Sequence, residues 1–148
     1  MLEKRQMQVL IVEDNKADAR LVRALIEETG LPIKITLIGN GEEAIRMMKA
    51  ASRGETPAPD LILLDINLPK RNGHEVLAYI RGDSRVADTC VAMCSGSDSF
   101  EDMERARSNK ANAYLQKPIG TEEMDLMVSS LRQILISLNE GSELAVSF

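Results

Sequence analysis

The sequence is poor in the residues that build aromatic cores, disulfide frameworks and histidine-based sites. It has no tryptophan and 3% aromatic residues, so we expect a core that is aliphatic and rich in methionine. Its two cysteines, Cys90 and Cys94, fall on one predicted strand roughly 13 Å apart, which is too far for a disulfide bond. We interpret both as buried thiols without a redox or metal-binding role. The single histidine, His74, follows Gly73 at a predicted helix start, and we interpret it as an exposed residue rather than a phosphate relay.

Long apolar runs and a strong net charge are also missing. No apolar stretch approaches the roughly 20 residues that a membrane-spanning helix needs. Lys4 and Arg5 are not followed by the apolar segment of a secretory signal. The net charge of −5 argues against non-specific binding to nucleic acid or anionic membranes. We therefore expect a cytoplasmic protein whose partners include neither nucleic acid nor membrane, and whose 148 residues fit one domain.

Four short apolar segments each end abruptly at a polar functional group. Short apolar runs bounded by polar residues are typical of strands that are buried on both faces of a parallel sheet. Because the carboxyl ends of such strands share one crevice in an open α/β sheet, we expect the groups that follow them to meet. The segments are residues 9–12 before Glu13 and Asp14, 61–64 before Asp65, 91–94 before Ser95, and 114–116 before Lys117.

Amphipathic helices are predicted between these strands, and a further strand is predicted near residues 34–38. Five strands, each followed by a helix, indicate an α/β fold. With right-handed crossovers, this pattern predicts a single flavodoxin-like (βα)5 domain, which is a doubly wound five-stranded parallel sheet in the order 2-1-3-4-5. We predict that the domain spans residues 7–138, and that residues 1–6 and 139–148 are flexible termini.

The predicted strand order makes the first and third strands neighbours, so Glu13, Asp14 and Asp65 would surround one cavity. Adjacent carboxylates repel and are costly to bury, and Mg²⁺ prefers oxygen ligands of this kind. Asp65 would keep one oxygen free to act as the nucleophile that forms an aspartyl phosphate. Lys117 and Ser95 can each bind a phosphoryl oxygen, and the new negative charge would draw Ser95 and the backbone after it inward. The residues therefore predict a phosphorylation-driven switch.

Five motifs stand in order along the chain: Val-Leu-Ile-Val-Glu-Asp-Asn at 9–15, Leu-Ile-Leu-Leu-Asp-Ile-Asn-Leu-Pro at 61–69, Asn-Gly at 72–73, Met-Cys-Ser-Gly-Ser at 93–97 and Tyr-Leu-Gln-Lys-Pro at 114–118. In this order and spacing, the sequence resembles the receiver domains of two-component response regulators. Within that family it most resembles stand-alone receivers that partner phytochrome-type sensor kinases. That likeness rests on the Asn-Leu-Pro-Lys run, the long loop before the third strand and the expected lack of an output domain.

The resemblance implies a phosphorelay switch that acts by docking to partners, rather than a metabolic enzyme. Asp65 would accept a phosphoryl group from a sensor histidine kinase, possibly of the phytochrome type, or from a histidine phosphotransfer protein. The implied chemistry is Mg²⁺-dependent self-phosphorylation followed by slow self-hydrolysis. Mg²⁺ would be held by Asp14, Asp65 and the main-chain carbonyl of Asn67, with Glu13 acting through water.

The resemblance also implies how the phosphoryl signal spreads. Ser95 takes the place of the switch hydroxyl, and Tyr114 takes the place of the aromatic side chain that changes rotamer. The bond between Lys117 and Pro118 would be cis, as in most family members. A homodimer through the face formed by the fourth helix, fifth strand and fifth helix is a further expectation.

Two alternatives stay open at this point. One is a phosphohydrolase with an aspartate nucleophile, although such enzymes typically place a second aspartate two residues later, where Asn67 stands. The other is a pseudo-receiver that binds partners constitutively. The complete set of acids together with Lys117 argues against it. A DNA-binding regulator is disfavoured because the sequence has no basic recognition stretch.

Overall fold

The structure, a computed structural model, describes residues 6–96, 99–119 and 121–140. Strands and helices alternate along the chain, and one helix follows each strand. Among the described helices, none combines the length and apolar character needed to span a bilayer. The strands are β1 Met7–Val12, β2 Ile33–Ile38, β3 Leu61–Asp65, β4 Cys90–Ser95 and β5 Ala113–Gln116, and the helices are α1 Lys16–Glu27, α2 Gly41–Ser52, α3 Gly73–Gly82, α4 Phe100–Ser108 and α5 Thr121–Glu140.

The five strands form one parallel sheet in the order β2-β1-β3-β4-β5, which confirms the predicted flavodoxin-like fold. The register aligns Val12 of β1 with Leu64 of β3, and Asp65 of β3 with Cys94 of β4. The carboxyl ends of these three central strands therefore lie side by side. Because β1 and β3 are neighbours, the segments that follow them open onto the same edge of the sheet.

An apolar layer covers each face of the sheet. On one face, side chains of β1, β3 and β4 pack against α2, α3 and α4, with Met48 and Leu77 fully buried. On the other face, side chains of β1, β3, β4 and β5 pack against α1 and α5, with Ile26 and Met127 fully buried. Burial on both faces explains why the central strands read as continuous apolar runs rather than as alternating patterns.

Asparagine side chains start three helices close to the site-bearing edge of the sheet. An N-cap oxygen satisfies a backbone N–H that the first turn would otherwise leave unpaired, which fixes where the helix begins. Asn72 also forms a reciprocal capping box with Glu75. The Oδ1 atoms of Asn15, Asn40 and Asn72 accept from the backbone N–H groups of Asp18 at 3.0 Å, Glu43 at 2.8 Å and Glu75 at 3.0 Å.

The prediction that His74 is exposed is wrong. His74 is 2% exposed, and its Nε2 lies 3.0 Å from Oδ1 of Asp102 in α4. The prediction relied on the position of His74 at the start of α3. A helix start is exposed only when no neighbouring helix covers it, and the sequence pattern does not report the packing of α4 against α3.

The predicted domain limits at residues 7 and 138 stay a prediction. Helix α5 continues to Glu140, so the limit at residue 138 falls inside a helix. The flexibility predicted for the termini concerns mainly residues 1–5 and 141–148, which lie outside the described residues.

Candidate functional site

Three carboxylates lie together at the carboxyl ends of β1 and β3. Glu13 and Asp14 follow β1 directly, and Asp65 is the last residue of β3. One carboxylate oxygen from each of the three residues lies within 4.8 Å of the other two. Asp65 is buried, whereas Asp14 is exposed to solvent. A half-open group of carboxylate oxygens fits a hard divalent cation such as Mg²⁺, which keeps several of its water ligands.

Lys117, directly after β5, supplies a positive charge to this site. Its Nζ donates a hydrogen bond to Oε1 of Glu13, and lies 3.6 Å from Oδ2 of Asp65 and 3.4 Å from Oδ2 of Asp18. Burial lowers the pKa of the Lys117 ammonium, but the Glu13 hydrogen bond and the charge of Asp65 outweigh burial, so the pKa is raised. Lys117 therefore stays a cation inside the site.

The environment of Glu13 opposes its ionisation, first through burial and then through the neighbouring Asp65. Burial raises the pKa of the Glu13 carboxyl; Lys117 opposes this effect, and a hydrogen bond and charge repulsion from Asp65 add to it. A raised pKa means that the folded protein disfavours the ionised form of Glu13. An additional cation between the carboxylates would relieve this repulsion.

Backbone contacts hold Asp65 and the loop after it in place. The backbone N–H of Asn67 lies 3.4 Å from Oδ1 of Asp65, and is directed at it, and the N–H of Gly73 donates to the carbonyl of Ile66 at 2.8 Å. A Cβ atom on Gly73 would lie 2.3 Å from the carbonyl oxygen of Asp65. Glycine at position 73 therefore lets the start of α3 approach the end of β3 closely. Gly41 plays a similar part for α2, because a Cβ there would lie 1.8 Å from the carbonyl oxygen of Arg71 in the same loop.

Ser95 and Tyr114 lie on the two strands beyond β3. Ser95 is the last residue of β4 and is fully buried. Its carbonyl accepts a hydrogen bond from the Lys117 N–H at 2.7 Å, which links the ends of β4 and β5. Tyr114 is half-buried and packs against the core layer next to α4. The bond between Lys117 and Pro118 is cis, which confirms that prediction.

Asp18 is a site residue that the sequence reasoning missed. It lies in the first turn of α1, where its backbone N–H donates to the Asn15 side chain, and its Oδ2 lies 3.4 Å from the Lys117 ammonium. A signal was available, because the Asn-x-x-Asp spacing places Asp18 at the third helical position, and Asn15 follows the two acids directly.

An apolar groove of about 230 Å³ adjoins the acids, between α1 and the segment that follows Lys117. Its walls include Leu21, which is 54% exposed, together with Val22 and Ile119. Asp18 and Lys117 line the same groove. The groove and the acidic site are therefore continuous with each other.

The sheet order and the acid–lysine site at its carboxyl edge define a receiver-type signalling domain. Residues 9–129 match the family model described as the response regulator receiver domain. The chain belongs to this family.

Relatives of known identity agree with this assignment. The chain is 34% identical over 133 residues to the probable methanogenesis regulatory protein FilR2 of Methanothrix harundinacea, covering 90% of this chain and 86% of the relative. It is 32% identical over 124 residues to the response regulator Rcp1 of Synechocystis, covering 83% and 84%.

Solved structures of related proteins share the fold. The phosphorylated cyanobacterial phytochrome response regulator RcpA superimposes with a TM-score of 0.72 at 31% identity, over 90% of this chain and 96% of RcpA. The Mn²⁺-bound form of Rcp1 superimposes with a TM-score of 0.74 at 27% identity, over 96% of this chain and 99% of Rcp1.

Family membership decides between the receiver and the phosphohydrolase that the sequence left open. Receiver domains are signalling switches of two-component systems that interact with histidine kinases, and they are generally not enzymes. Neither the family match nor the relatives support a phosphohydrolase. The related response regulator Rcp1 has a Mn²⁺-bound form, and the acids of the present chain are consistent with binding of a divalent metal.

Proposed function

We propose that Asp65 is the residue that accepts the phosphoryl group, and that the donor is a phosphohistidine on a kinase or a phosphotransfer protein. An Asp65 carboxylate oxygen attacks the phosphorus atom of the donor. The phosphorus–nitrogen bond breaks, and its electron pair stays on the imidazole nitrogen. Hydrolysis later reverses the modification, because water attacks the same phosphorus and releases inorganic phosphate. The observation that carries the proposal is the meeting of Glu13, Asp14 and Asp65, with the Lys117 ammonium beside Glu13 and Asp65.

Asp14, Asp65 and the main-chain carbonyl of Asn67 are proposed to hold Mg²⁺, with Glu13 acting through water. The cation would neutralise charge on the transferred phosphoryl oxygens. Three carboxylates with one lysine leave net negative charge at the site, and a divalent cation would offset it. The Mn²⁺-bound form of the related Rcp1 agrees with a divalent cation at such a site.

Lys117, Ser95 and Tyr114 are proposed to read the phosphorylated state. The Lys117 ammonium pairs with one phosphoryl oxygen, and the Ser95 hydroxyl donates a hydrogen bond to another. Ser95 ends a buried strand next to Asp65 in the sheet, so a pull on its hydroxyl moves the segment between β4 and α4. Tyr114, on the adjacent strand, then changes rotamer with that segment.

The groove beside α1 is proposed to receive the helix that carries the donor histidine. An apolar groove suits the apolar stripe of a partner helix. Because Asp18 and Lys117 line both the groove and the acidic site, a helix lying in the groove presents a phosphohistidine to Asp65. RcpA is a phytochrome response regulator, and we propose a cytoplasmic sensor kinase of that kind as the partner here.

A homodimer through the face formed by α4, β5 and α5 is proposed as the output. Phe100 and Met103 of α4 are 77% and 46% exposed, and Leu126 of α5 is 49% exposed. These helices precede and follow the edge strand β5, and exposed large apolar side chains are typical of protein–protein contact surfaces.

Intact-mass spectrometry after incubation with acetyl phosphate and Mg²⁺ tests the proposed phosphoacceptor. The wild-type protein should gain one phosphoryl group, Asp65→Asn should gain none, and Asp88→Asn should behave like the wild type because Asp88 is exposed and away from the site. Removal of Mg²⁺ with EDTA should suppress the modification. Phosphorylation of Asp65→Asn on another residue would contradict the proposal, and so would consumption of many equivalents of donor without a stable adduct.

A further inference from the structure

The buried imidazole of His74 ties α3 to α4. Nε2 lies 3.0 Å from Oδ1 of Asp102, whose side chain is 31% exposed. Among the described residues, the buried Nδ1 of the same ring has no hydrogen-bond partner. The contact with Asp102 therefore provides a hydrogen bond to a ring that is otherwise surrounded by protein.

His74 lies in the first turn of α3, which is attached to the end of the strand that carries Asp65. Gly73, the preceding residue, donates its N–H to Ile66 and lies so close to the Asp65 carbonyl that a Cβ atom would not fit. The capping box between Asn72 and Glu75 fixes the same turn. The first turn of α3 is therefore fixed to the end of β3.

The Asp102 side is held less firmly. Across residues 100–108, all of which are described, only Ala106 is buried, and it lies in the C-terminal half of α4. Phe100 and Met103 of the N-terminal half are 77% and 46% exposed. Little apolar burial therefore fixes the first turn of α4, and the part-buried hydrogen bond to His74 has a large share in its position.

We propose that the contact between His74 and Asp102 is a latch that holds the first turn of α4 in the unphosphorylated position. The proposal rests on the proposed function, and it names the pair that opposes the switch. Neither residue touches the phosphoryl group. Both are positioning residues that set how readily α4 follows Asp65.

The latch works because its two halves are attached to different parts of the site. When Ser95 and the backbone after it are drawn toward a phosphoryl group, the start of α4 moves with them, because only residues 96–99 separate β4 from α4. Helix α3 stays with Asp65, so the distance between His74 and Asp102 must change. Separation would leave Nε2, in addition to Nδ1, as a buried imidazole nitrogen without a partner among the described residues, which is unfavourable. The unphosphorylated conformation is therefore favoured until contacts with a phosphoryl group offset the cost of breaking the contact between His74 and Asp102.

Hydrogen exchange without any phosphate mimic tests whether the latch holds α4. The backbone N–H groups of α4 should exchange about three- to tenfold faster in Asp102→Ala than in the wild type. Asp102→Asn keeps an oxygen that accepts from Nε2–H, and should exchange like the wild type. Glu101→Ala is the matched control, because it removes an exposed acid from the same turn of α4. It therefore loses the same favourable interaction with the helix dipole.

Titration with Mg²⁺ and beryllofluoride tests whether the latch opposes the switch. Breaking a contact made only in the unphosphorylated conformation raises the population that binds the mimic. Asp102→Ala should therefore bind beryllofluoride about three- to tenfold more tightly than the wild type, while Asp102→Asn and Glu101→Ala should match the wild type.

The outcomes separate the latch from the proposed function. A wild-type protein that does not bind beryllofluoride would overturn the proposed phosphorylation site, whatever the exchange data show. A wild-type protein that binds the mimic, with an unchanged affinity in Asp102→Ala, would overturn the latch alone. Equal effects of Asp102→Ala and Glu101→Ala would also overturn it, because the effect would then come from the helix dipole.

Discussion

The Lys117 ammonium lies 3.6 Å from Oδ2 of Asp65, although β4 separates their strands in the sheet. The lysine side chain therefore lies beside the proposed phosphoacceptor. In the phosphorylated protein, the phosphoryl group would add its oxygens to this region. Lys117 would then exchange carboxylate contacts for phosphoryl contacts.

Lys117→Ala should leave phosphorylation of Asp65 possible but weaken the conformational response. The reason is that the fixed ammonium no longer anchors a phosphoryl oxygen. Amide NMR spectra with and without beryllofluoride should show smaller shifts in α4 and β5 than in the wild type. Lys34→Ala, an exposed lysine on the edge strand β2, should respond fully. Wild-type shifts in Lys117→Ala would contradict this role.

Gly73→Ala should destabilise the protein by about 1–3 kcal/mol, because the new methyl group overlaps the Asp65 carbonyl oxygen. It should also slow phosphorylation, since the end of β3 must shift. Gly82→Ala, at the other end of α3, has open space around the new methyl group and should stabilise by roughly 0.5–1 kcal/mol through helix propensity. Urea denaturation of both variants measures the difference. Equal stabilities would show that Gly73 is not in close contact.

Arg81→Lys should destabilise the protein by at least about 2 kcal/mol, because one ammonium cannot replace a planar fork of donors. The Arg81 guanidinium donates to the carbonyls of Ala87 and Thr89, which lead into β4. It also donates to the Lys110 carbonyl and the Asn112 side chain, which lie between α4 and β5.

Arg107→Ala is the control for Arg81, since the Arg107 side chain is 79% exposed and pairs only with Glu104 among the described residues. Its loss should change the free energy of unfolding by less than about 1 kcal/mol. If Arg81→Lys were as stable as Arg107→Ala, the hydrogen bonds of the Arg81 guanidinium would not contribute to the stability of the fold.

The two cysteines should resist alkylation in the folded protein. Burial raises the pKa of the Cys90 thiol to about 11 and that of the Cys94 thiol to about 12. At pH 8 both thiols are protonated, and the protonated form is a poor nucleophile. Iodoacetamide at pH 8 should modify neither residue in native protein and both in urea, as read by peptide mass spectrometry. Fast labelling of Cys94 in native protein would contradict its burial.

The sequence was sufficient for the fold and for the meeting of Asp65 with Lys117, because both features depend on strand ends. Apolar runs locate the strands, and the strand order then determines which ends are neighbours. Glu13 and Asp14 follow from the same argument. These residues lie on the backbone segments that the pattern locates best.

His74 and Arg81 could not be placed in this way. Their contacts depend on how one helix or loop lies against another, and a helix start such as that of α3 looks the same whether α4 covers it or not. Arg81 donates to backbone carbonyls of distant loops, and the sequence does not indicate which carbonyls accept, because every residue has one. Side-chain contacts between separate elements therefore required coordinates.

Locating the acyl phosphate along the chain is a direct test that Asp65 is the phosphoacceptor. After incubation with acetyl phosphate and Mg²⁺, borohydride reduces an aspartyl phosphate to homoserine, and peptide mass spectrometry identifies the position. We expect homoserine at position 65 and in place of no other acidic residue. Homoserine at Asp14, or at any acid other than Asp65, would contradict it.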